Sequence, residues 1–378
     1  MERYKVIVPK LNVRKAPVAD FNDKSNIITT VSDGLILDLV EVFDVPNPSL
    51  GKWYFDGKGQ FYSGLGLQPL ENSLKIKDQL FDISKYWWLN DFKIKELWDK
   101  GITGKGIKIA VLDTGISLPH PDLNINPNTN CGDITDSETH YRNIDNDSHG
   151  THCTGIIKSS NNGFGITGIA YDSDVFICKI SKDIDVKSGQ VDDDISYVEM
   201  GIKWAIEKNV DIISISKGFY SDYKKIQPII KDAFENKNII FVCAGGNNSN
   251  SKTYSEIFYP AFYDECLSVG AIDQNRKVSP ISITSTRLKL LAPGIDITST
   301  SSNNGYRKLS GSSQATPFVA AIIAMTMQYL KQQEKKYNAK GIYKLMIDAS
   351  DSVKDCNYKI INPINIFKLI DNGKETFI

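Results

Sequence analysis

Short, nearly continuous apolar runs rich in β-branched residues recur along the chain from about residue 107 onward. Such runs are typical of parallel strands that are buried on both faces of a sheet. We predict strands at Ile107–Leu112, Val175–Ile180, Asp211–Ser216, Ile239–Cys243 and Leu267–Ile272. Between and after them apolar residues recur at helical spacing, and the predicted helices are His149–Lys158, Val191–Lys208, Pro228–Asn236 and Ala315–Gln333. This alternation favours right-handed crossovers and a doubly wound, mostly parallel α/β sheet.

Residues 1–72 have a different pattern, in which short apolar or alternating runs are separated by turn residues. The predicted strands are Lys5–Val8, Ile27–Val31, Ile36–Val40, Trp53–Phe55 and Phe61–Tyr62. Their spacing favours a small all-β domain. The stretches Leu11–Pro17 and Gly51–Tyr54 resemble a bacterial SH3-like barrel, and a pro-segment of another fold is the alternative. Residues 73–89 are predicted to be a charged and aromatic linker, and residues 90–378 the α/β domain.

The composition is that of an ordinary globular protein, with 41% hydrophobic and 24% charged residues among 378. The net charge is −1, so nothing indicates nucleic acid or an anionic membrane as a partner. No apolar stretch reaches the roughly 18 residues that cross a bilayer. Residues 1–10 lack the apolar segment of a secretory signal, so a cytoplasmic location is expected, with secretion as the alternative if a signal has been removed. Six cysteines without metal-ligand spacing fit a reducing compartment.

Three short glycine-bearing stretches carry the candidate chemistry, each with one reactive side chain. Asp113 follows a predicted buried strand, His149 begins a predicted helix, and Ser313 precedes another. A serine hydroxyl needs a base to become nucleophilic, and a histidine base needs a carboxylate to orient it. Each residue also has a purely structural interpretation when taken alone: Ser313 as a helix cap, His149 as a helix N-terminal residue without a role, and Asn247 as a turn residue. Asp-Thr-Gly also occurs in aspartic proteases, but that chemistry needs two such carboxylates and the chain has one.

Together these stretches resemble the subtilisin-like serine protease family, which they match over nearly all of residues 90–372. The matching segments are Gly104–Gly106, Asp113–Gly115, His120–Leu123, Asp147–Cys153, Phe241–Asn247 and Gly311–Pro317. The resemblance implies an endopeptidase that cleaves extended polypeptides through an acyl-enzyme. It implies that Ser313 attacks, that His149 moves the proton and that Asp113 orients the histidine. Asn247 matches the family's oxyanion donor and would act with the Ser313 N–H.

The resemblance also implies a substrate cleft. Ser216, Lys217 and Gly218 would form one wall of the primary side-chain pocket, and the segment Ser214–Gly218 would pair with an extended peptide. Ala244, Gly245 and Gly246 would form the opposite wall. Phe258 falls where family members usually keep a glycine, so we expect a shortened pocket that favours small or unusual P1 side chains. Lys217 would attract an acidic flank of the substrate, or is simply a solvated lysine.

A calcium site is implied by the segment Asn161–Ile166, which resembles the family's calcium loop. The implied ligands are the side chains of Asp122 and Asn162 and the carbonyls of Ser160, Phe164 and Ile166. An ordinary Asn-Gly turn beside an aspartate is the alternative. No other cofactor is implied. Near the nucleophile, Gln314 replaces the usual methionine, and Cys153 is expected to pack beneath His149.

Two other functional classes stay open at this point. One is a catalytically silent scaffold that binds peptides without cleaving them. The other is a cell-wall-associated protein, because bacterial SH3-like modules often bind peptidoglycan. The first domain is interpreted either as a targeting module with a protein or peptidoglycan ligand, or as an inhibitory segment that is cut near residues 72–88.

Overall fold

The chain forms two units, Met1–Leu80 and Phe81–Ile378. The computed structural model describes seven strands of the first unit, and the second unit except for residues 136–144, 146, 186–189, 193, 249–252, 303, 354–357 and 374–375. The predicted linker 73–89 divides at this boundary, because residues 81–89 belong to the second unit.

The first unit is built from antiparallel strands. Its described strands are β1 (Glu2–Val6), β2 (Lys10–Arg14), β3 (Ile27–Ser32), β4 (Ile36–Val42), β5 (Trp53–Phe55), β6 (Phe61–Ser63) and β7 (Leu67–Pro69). They pair in the order β3-β2-β6-β5-β4-β1-β7. Four of the five predicted strands coincide with observed ones within two residues, while the first lies earlier than predicted, at Glu2–Val6. The SH3-like barrel stays a prediction.

The second unit alternates strands and helices. Its strands are β8 (Lys108–Asp113), β9 (Cys131–Asp133), β10 (Asp174–Lys179), β11 (Lys182–Asp185), β12 (Gln190–Asp192), β13 (Ile212–Ile215), β14 (Ile240–Ala244), β15 (Cys266–Ile272), β16 (Leu290–Pro293), β17 (Ile297–Ser301), β18 (Gly305–Leu309), β19 (Lys336–Tyr337), β20 (Asp351–Ser352), β21 (Lys359–Ile360) and β22 (Thr376–Phe377). Its helices are a 3₁₀ turn at Ile83–Lys85, α1 (Trp87–Asn90), α2 (Ile94–Trp98), α3 (Pro127–Asn130), α4 (His149–Lys158), α5 (Ile195–Glu207), α6 (Ile226–Asn236), α7 (Ser312–Gln332), α8 (Ala339–Asp348) and α9 (Pro363–Asp371).

One large sheet organises this unit. Within the described residues it has nine strands in the order β20-β21-β16-β15-β14-β13-β8-β10-β9. All neighbours are parallel except β20 and β21. The strand order changes direction on either side of β8, as in a doubly wound sheet, and the predicted α/β fold is confirmed. In such sheets, ligand-binding groups collect at the carboxyl ends of the strands.

Part of the core of the second unit lies between the sheet and helix α7, and helices α5 and α6 also contribute buried apolar residues. Helix α7 packs against β13, β14, β15 and β16. Its residues Phe318, Val319 and Ile322 are buried, as are the apolar side chains of the central strands. Because α7 is buried on nearly all sides, the position of its first turn is fixed by the core rather than by solvent-exposed contacts.

Residues 81–98 belong to this unit through their aromatic side chains. The Trp87 indole N–H donates to the carbonyl of Ile295 at 3.2 Å, and the backbone N–H of Phe81 donates to Gly163 at 3.0 Å. Trp88 is 2% exposed. Where the chain is described, its helices include none that combines the length and the apolar character needed to traverse a bilayer.

Candidate active site

Asp113 is the last residue of β8, at the carboxyl edge of the sheet. Its side chain is fully buried. Oδ1 accepts the His149 Nδ1–H at 2.7 Å and the Thr114 N–H at 2.8 Å. Burial would raise the pKa of Asp113, but the neighbouring His149 and the charge of Lys217 outweigh it and hold that pKa below its ordinary value. The carboxyl is therefore an anion in the folded protein.

His149 is the first residue of helix α4 and keeps 20% of its side-chain surface exposed. Burial alone would lower the pKa of this imidazole, but the carboxylate of Asp113 more than offsets that effect and holds the pKa well above its ordinary 6.5. Because Nδ1 donates to Asp113, the neutral ring has Nε2 as its proton acceptor. Gly150 is required behind the ring, because a Cβ there would lie 2.2 Å from the Gly115 carbonyl oxygen.

Asp145 joins the Asp113 turn to the His149 helix, although no sequence motif points to it. Its Oδ1 accepts the Thr114 hydroxyl and the Ser148 N–H, each at 2.8 Å, and its Oδ2 accepts the Thr151 N–H at 2.7 Å. Thr114 directly follows Asp113, while Ser148 and Thr151 lie just before and just after His149. The only sequence signal was an aspartate four positions before His149, which is too common to be informative.

Ser313 lies in the first turn of α7, directly after Ser312. Its hydroxyl donates to the carbonyl of Ser216 at 3.1 Å. Its own carbonyl accepts the Ser216 hydroxyl at 2.9 Å and the Cys153 thiol at 3.4 Å. Cys153 Sγ also lies 3.9 Å from His149 Nδ1. The serine is therefore tied to the end of β13 and to the helix of the histidine.

Asn247 follows β14 and faces the same helix start. Its Oδ1 accepts the Ser312 N–H at 2.9 Å. Because the carbonyl end of the amide is fixed by this bond, the Nδ2 group is left as the donor. The N–H of Ser313, in the first helical turn, has no partner within its own helix. Asn247 is thus bonded to the same helix start that carries Ser313.

A single cleft contains these groups. It is lined by His149, Ser216, Lys217, Gly218, Ala244, Gly246, Asn247, Phe258, Ser312 and Ser313. Of the predicted cleft residues, Gly245 is not part of this lining. Its N–H instead donates to Val269 at 2.8 Å and its carbonyl accepts the Phe258 N–H at 3.0 Å, so it supports the floor from behind. Asp113 lies buried behind His149.

Phe258 lies at the base of the cleft between the two predicted walls. A Cβ on Gly218 would lie 2.8 Å from Phe258 Cβ, and a Cβ on Gly246 would lie 2.8 Å from Phe258 Cδ2. Both walls therefore approach the phenylalanine closely enough that only glycine fits. Tyr220 and Tyr254 contact the same ring, and neither was singled out from the sequence.

The predicted calcium ligands form a cluster of hydrogen bonds around Asp122. Its Oδ1 accepts the Asn162 amide at 2.9 Å, and its Oδ2 accepts the Ile166 N–H at 2.9 Å and the Tyr306 hydroxyl at 3.1 Å. Burial raises the pKa of Asp122 to about 6, although these bonds lower it.

The calcium site stays a prediction, and the contacts around Asp122 are those of a hydrogen-bonded loop. A calcium site presents oxygen lone pairs to the metal, whereas Ile166 and Asn162 here point N–H groups at the carboxylate. The Asn162 Oδ1 accepts the Phe164 N–H at 3.2 Å, and the Ser160 carbonyl accepts the Asn162 N–H at 3.0 Å. These hydrogen bonds join Asp122 to the loop of residues 160–166.

Asp113 is bonded to His149, and His149, Ser313 and Asn247 line one cleft at the carboxyl edge of a doubly wound sheet. This fold and this site together are characteristic of a serine peptidase. The model of the subtilase family, peptidase S8, matches residues 104–361. The chain belongs to the subtilase family and is a subtilisin-like serine protease.

Three relatives illustrate the similarity. The major intracellular serine protease of Bacillus subtilis (strain 168) is 34% identical over 275 residues, which are 71% of this chain and 84% of the relative. The intracellular serine protease of Paenibacillus polymyxa is 37% identical over 60% of this chain and 68% of the relative. The minor extracellular protease Epr of Bacillus subtilis (strain 168) is 37% identical over 65% of this chain. The match spans only 36% of Epr's length.

Proposed function

We propose that this chain is a serine endopeptidase that hydrolyses peptide bonds of extended polypeptides, with Asp113, His149 and Ser313 as its catalytic residues. The observation that carries the proposal is the 2.7 Å bond from His149 to a buried, anionic Asp113. It fixes the tautomer whose Nε2 can accept a proton. His149 and Ser313 line the same cleft.

In the proposed mechanism, the Ser313 hydroxyl first breaks its hydrogen bond to the Ser216 carbonyl. It then transfers its proton to His149 Nε2 as Oγ attacks the substrate carbonyl. The resulting imidazolium is stabilised by Asp113. The oxyanion accepts hydrogen bonds from Asn247 Nδ2 and the Ser313 N–H. His149 then protonates the leaving amine, the C–N bond breaks, and an acyl-enzyme remains. Water, deprotonated by His149, attacks the ester. The C–O bond to Ser313 breaks, His149 returns the proton to Ser313 Oγ, and the carboxylic acid is released.

The substrate would bind as an extended strand along Ser214–Gly218, the segment that continues from β13 into the cleft wall. Main-chain pairing of this kind tolerates varied sequences. Asn247 supplies an oxyanion donor, and removal of such a donor costs about 100- to 1,000-fold in kcat. We therefore expect Asn247→Ala to lose kcat by that factor with little change in KM.

The central test uses a serine-directed phosphonylating reagent on the full-length protein. The expected result is a single covalent adduct on Ser313 and complete loss of casein hydrolysis. Ser313→Ala should form no adduct and lose about 10⁶-fold in kcat. Ser310→Ala is the matched control, because the Ser310 hydroxyl only accepts the Asp296 N–H outside the cleft, at 2.9 Å. A protein that binds peptides without adduct or turnover would overturn the proposal in favour of a silent scaffold.

We also propose a cytoplasmic location. Two relatives carry the word intracellular in their names, while Epr is named as extracellular. Among the described residues, the cysteines Cys131, Cys153, Cys178, Cys243 and Cys266 are free thiols, the form that a reducing compartment maintains. Cell fractionation should place the protein with cytosolic markers, and recovery from the culture medium would contradict this.

A further inference from the structure

The floor of the cleft is a phenylalanine that is fixed on its backbone. The Phe258 N–H donates to the Gly245 carbonyl at 3.0 Å, and its carbonyl accepts the Phe262 N–H at 3.0 Å. On the next residue, Tyr259 and Phe219 exchange backbone hydrogen bonds of 2.8 and 2.9 Å. This bridge ties the floor segment to the wall segment that contains Gly218. These backbone hydrogen bonds therefore fix the direction in which the Phe258 side chain leaves the main chain.

The side chain of Phe258 is held between both walls and two tyrosines. Its contacts with the walls leave no space for a Cβ on Gly218 or on Gly246. The Tyr220 ring meets it edge-on at a centroid distance of 4.5 Å and an angle of 72°, and the Tyr254 ring at 5.0 Å and 85°. Edge-to-face pairs at these distances are favourable.

The two tyrosines also brace each other. Their rings stack at 4.8 Å with an interplanar angle of 27°, and their hydroxyl groups are hydrogen-bonded to one another. Tyr254 is anchored further by its N–H, which donates to Asn248 Oδ1 at 2.9 Å. Tyr220 itself is 63% exposed. A large exposed aromatic side chain in this position is accounted for by its contact with Phe258.

We propose that Phe258 closes the P1 pocket and that Tyr220 and Tyr254 hold it closed, so that the enzyme cleaves after glycine or alanine. P1 denotes the substrate residue whose carbonyl is attacked. A large P1 side chain would have to enter the space that Phe258 occupies, and the tyrosines oppose its displacement. Tyr220 and Tyr254 act as positioning residues, since they act through Phe258. This inference deepens the proposed function and rests on it.

The test compares internally quenched peptides that differ only at P1, with glycine, alanine, leucine or phenylalanine. With the full-length enzyme we expect kcat/KM for glycine or alanine to exceed that for phenylalanine by about 100-fold or more, the range that pocket size can provide. Phe258→Gly should raise kcat/KM for the phenylalanine peptide by about 100-fold and leave the alanine peptide within about tenfold. Phe258→Ala is the second variant should the first fail to fold.

The role of the tyrosines has its own readout. Tyr220→Ala should reduce the ratio of kcat/KM for the alanine peptide to kcat/KM for the phenylalanine peptide by about tenfold. Tyr220→Phe keeps the ring that contacts Phe258 and should therefore have a ratio close to that of the wild type. Equal or better cleavage of the leucine and phenylalanine peptides by the wild type would overturn the inference while leaving the protease assignment intact. Failure to cleave all four peptides, together with no phosphonyl adduct on Ser313, would instead overturn the proposed function.

Discussion

Asp113 and Asp122 are both 0% exposed in the same unit, yet their surroundings differ in kind. Asp113 faces the His149 imidazole, and its Oδ2 meets no hydrogen-bond donor in the described part of the chain. Asp122 has donors on both oxygens, and all of them are neutral groups. The pKa of Asp113 is lowered and that of Asp122 is raised to about 6.

The difference shows how burial acquires a chemical role. Burial penalises a carboxylate unless a partner compensates its charge. A titratable partner such as His149 does so and in turn becomes a stronger base, so the pair can move a proton. Neutral donors satisfy the oxygens but leave the charge uncompensated, so the Asp122 cluster can anchor a loop without being suited to proton transfer.

The most direct test of this difference replaces each aspartate by asparagine, which removes the negative charge with the smallest change in shape. Asp113→Asn should lower kcat by about 10⁴-fold, because the amide cannot hold the imidazole in the tautomer that accepts a proton at Nε2. KM should change little. Steady-state kinetics on a casein-derived peptide measures both. Asp122→Asn, the matched control, should keep kcat within about threefold, since the hydrogen-bond partners Asn162, Ile166 and Tyr306 are not among the residues that line the cleft. Comparable losses in both variants would show that Asp113 is structural.

The pH profile separates the same two carboxylates. Only neutral His149 can accept the serine proton, and its pKa is raised, so kcat/KM should rise with pH through a midpoint above 6.5. Below that midpoint the rate should fall about tenfold per pH unit. In Asp113→Asn the raising charge is lost while burial persists, so the midpoint should move to lower pH. Asp122→Asn should leave it unchanged, and a shift there would contradict the separation.

The chain's own pattern predicted the frame of the site well. The run Ile107–Leu112 became β8 at Lys108–Asp113, with the aspartate at the strand end, and the predicted helix His149–Lys158 matches α4. Buried parallel strands leave a clear local signal, because burial on both faces selects apolar residues along the whole run.

The contacts that complete the site join residues far apart in sequence. Tyr306 is 184 residues from Asp122, and Asp145 is 31 residues from Thr114. No periodicity or motif encodes which side chains meet across that distance, since the meeting depends on how β17 and β18 lie against the loop. The same applies to Tyr220 and Tyr254. The strand and the helix that carry Asp113 and His149 were therefore predictable, while the side-chain contacts between residues far apart in sequence were not.

Measurements of stability should show the structural role of Asp122. Asp122→Asn should lower the free energy of unfolding by about 1–3 kcal/mol, because it leaves at least one buried donor unsatisfied. Urea unfolding followed by tryptophan fluorescence measures this. Excess calcium should not raise the wild-type Tm, and a chelator should not lower it, because the loop is closed by protein donors. A calcium-dependent rise in Tm that Asp122→Asn abolishes would instead identify the cluster as an ion site.

The smallest expected effect isolates one donor of that cluster. Tyr306→Phe removes the hydroxyl that donates to Asp122 Oδ2 at 3.1 Å but keeps the ring that packs edge-on against His120 at 5.6 Å. The Ile166 N–H still satisfies the same oxygen. We therefore expect a loss of only about 1 kcal/mol in the free energy of unfolding, with kcat unchanged. Tyr329→Phe is the control, since its hydroxyl donates to the exposed Asp371. A loss as large as that of Asp122→Asn would mean that Tyr306 alone holds the loop closed.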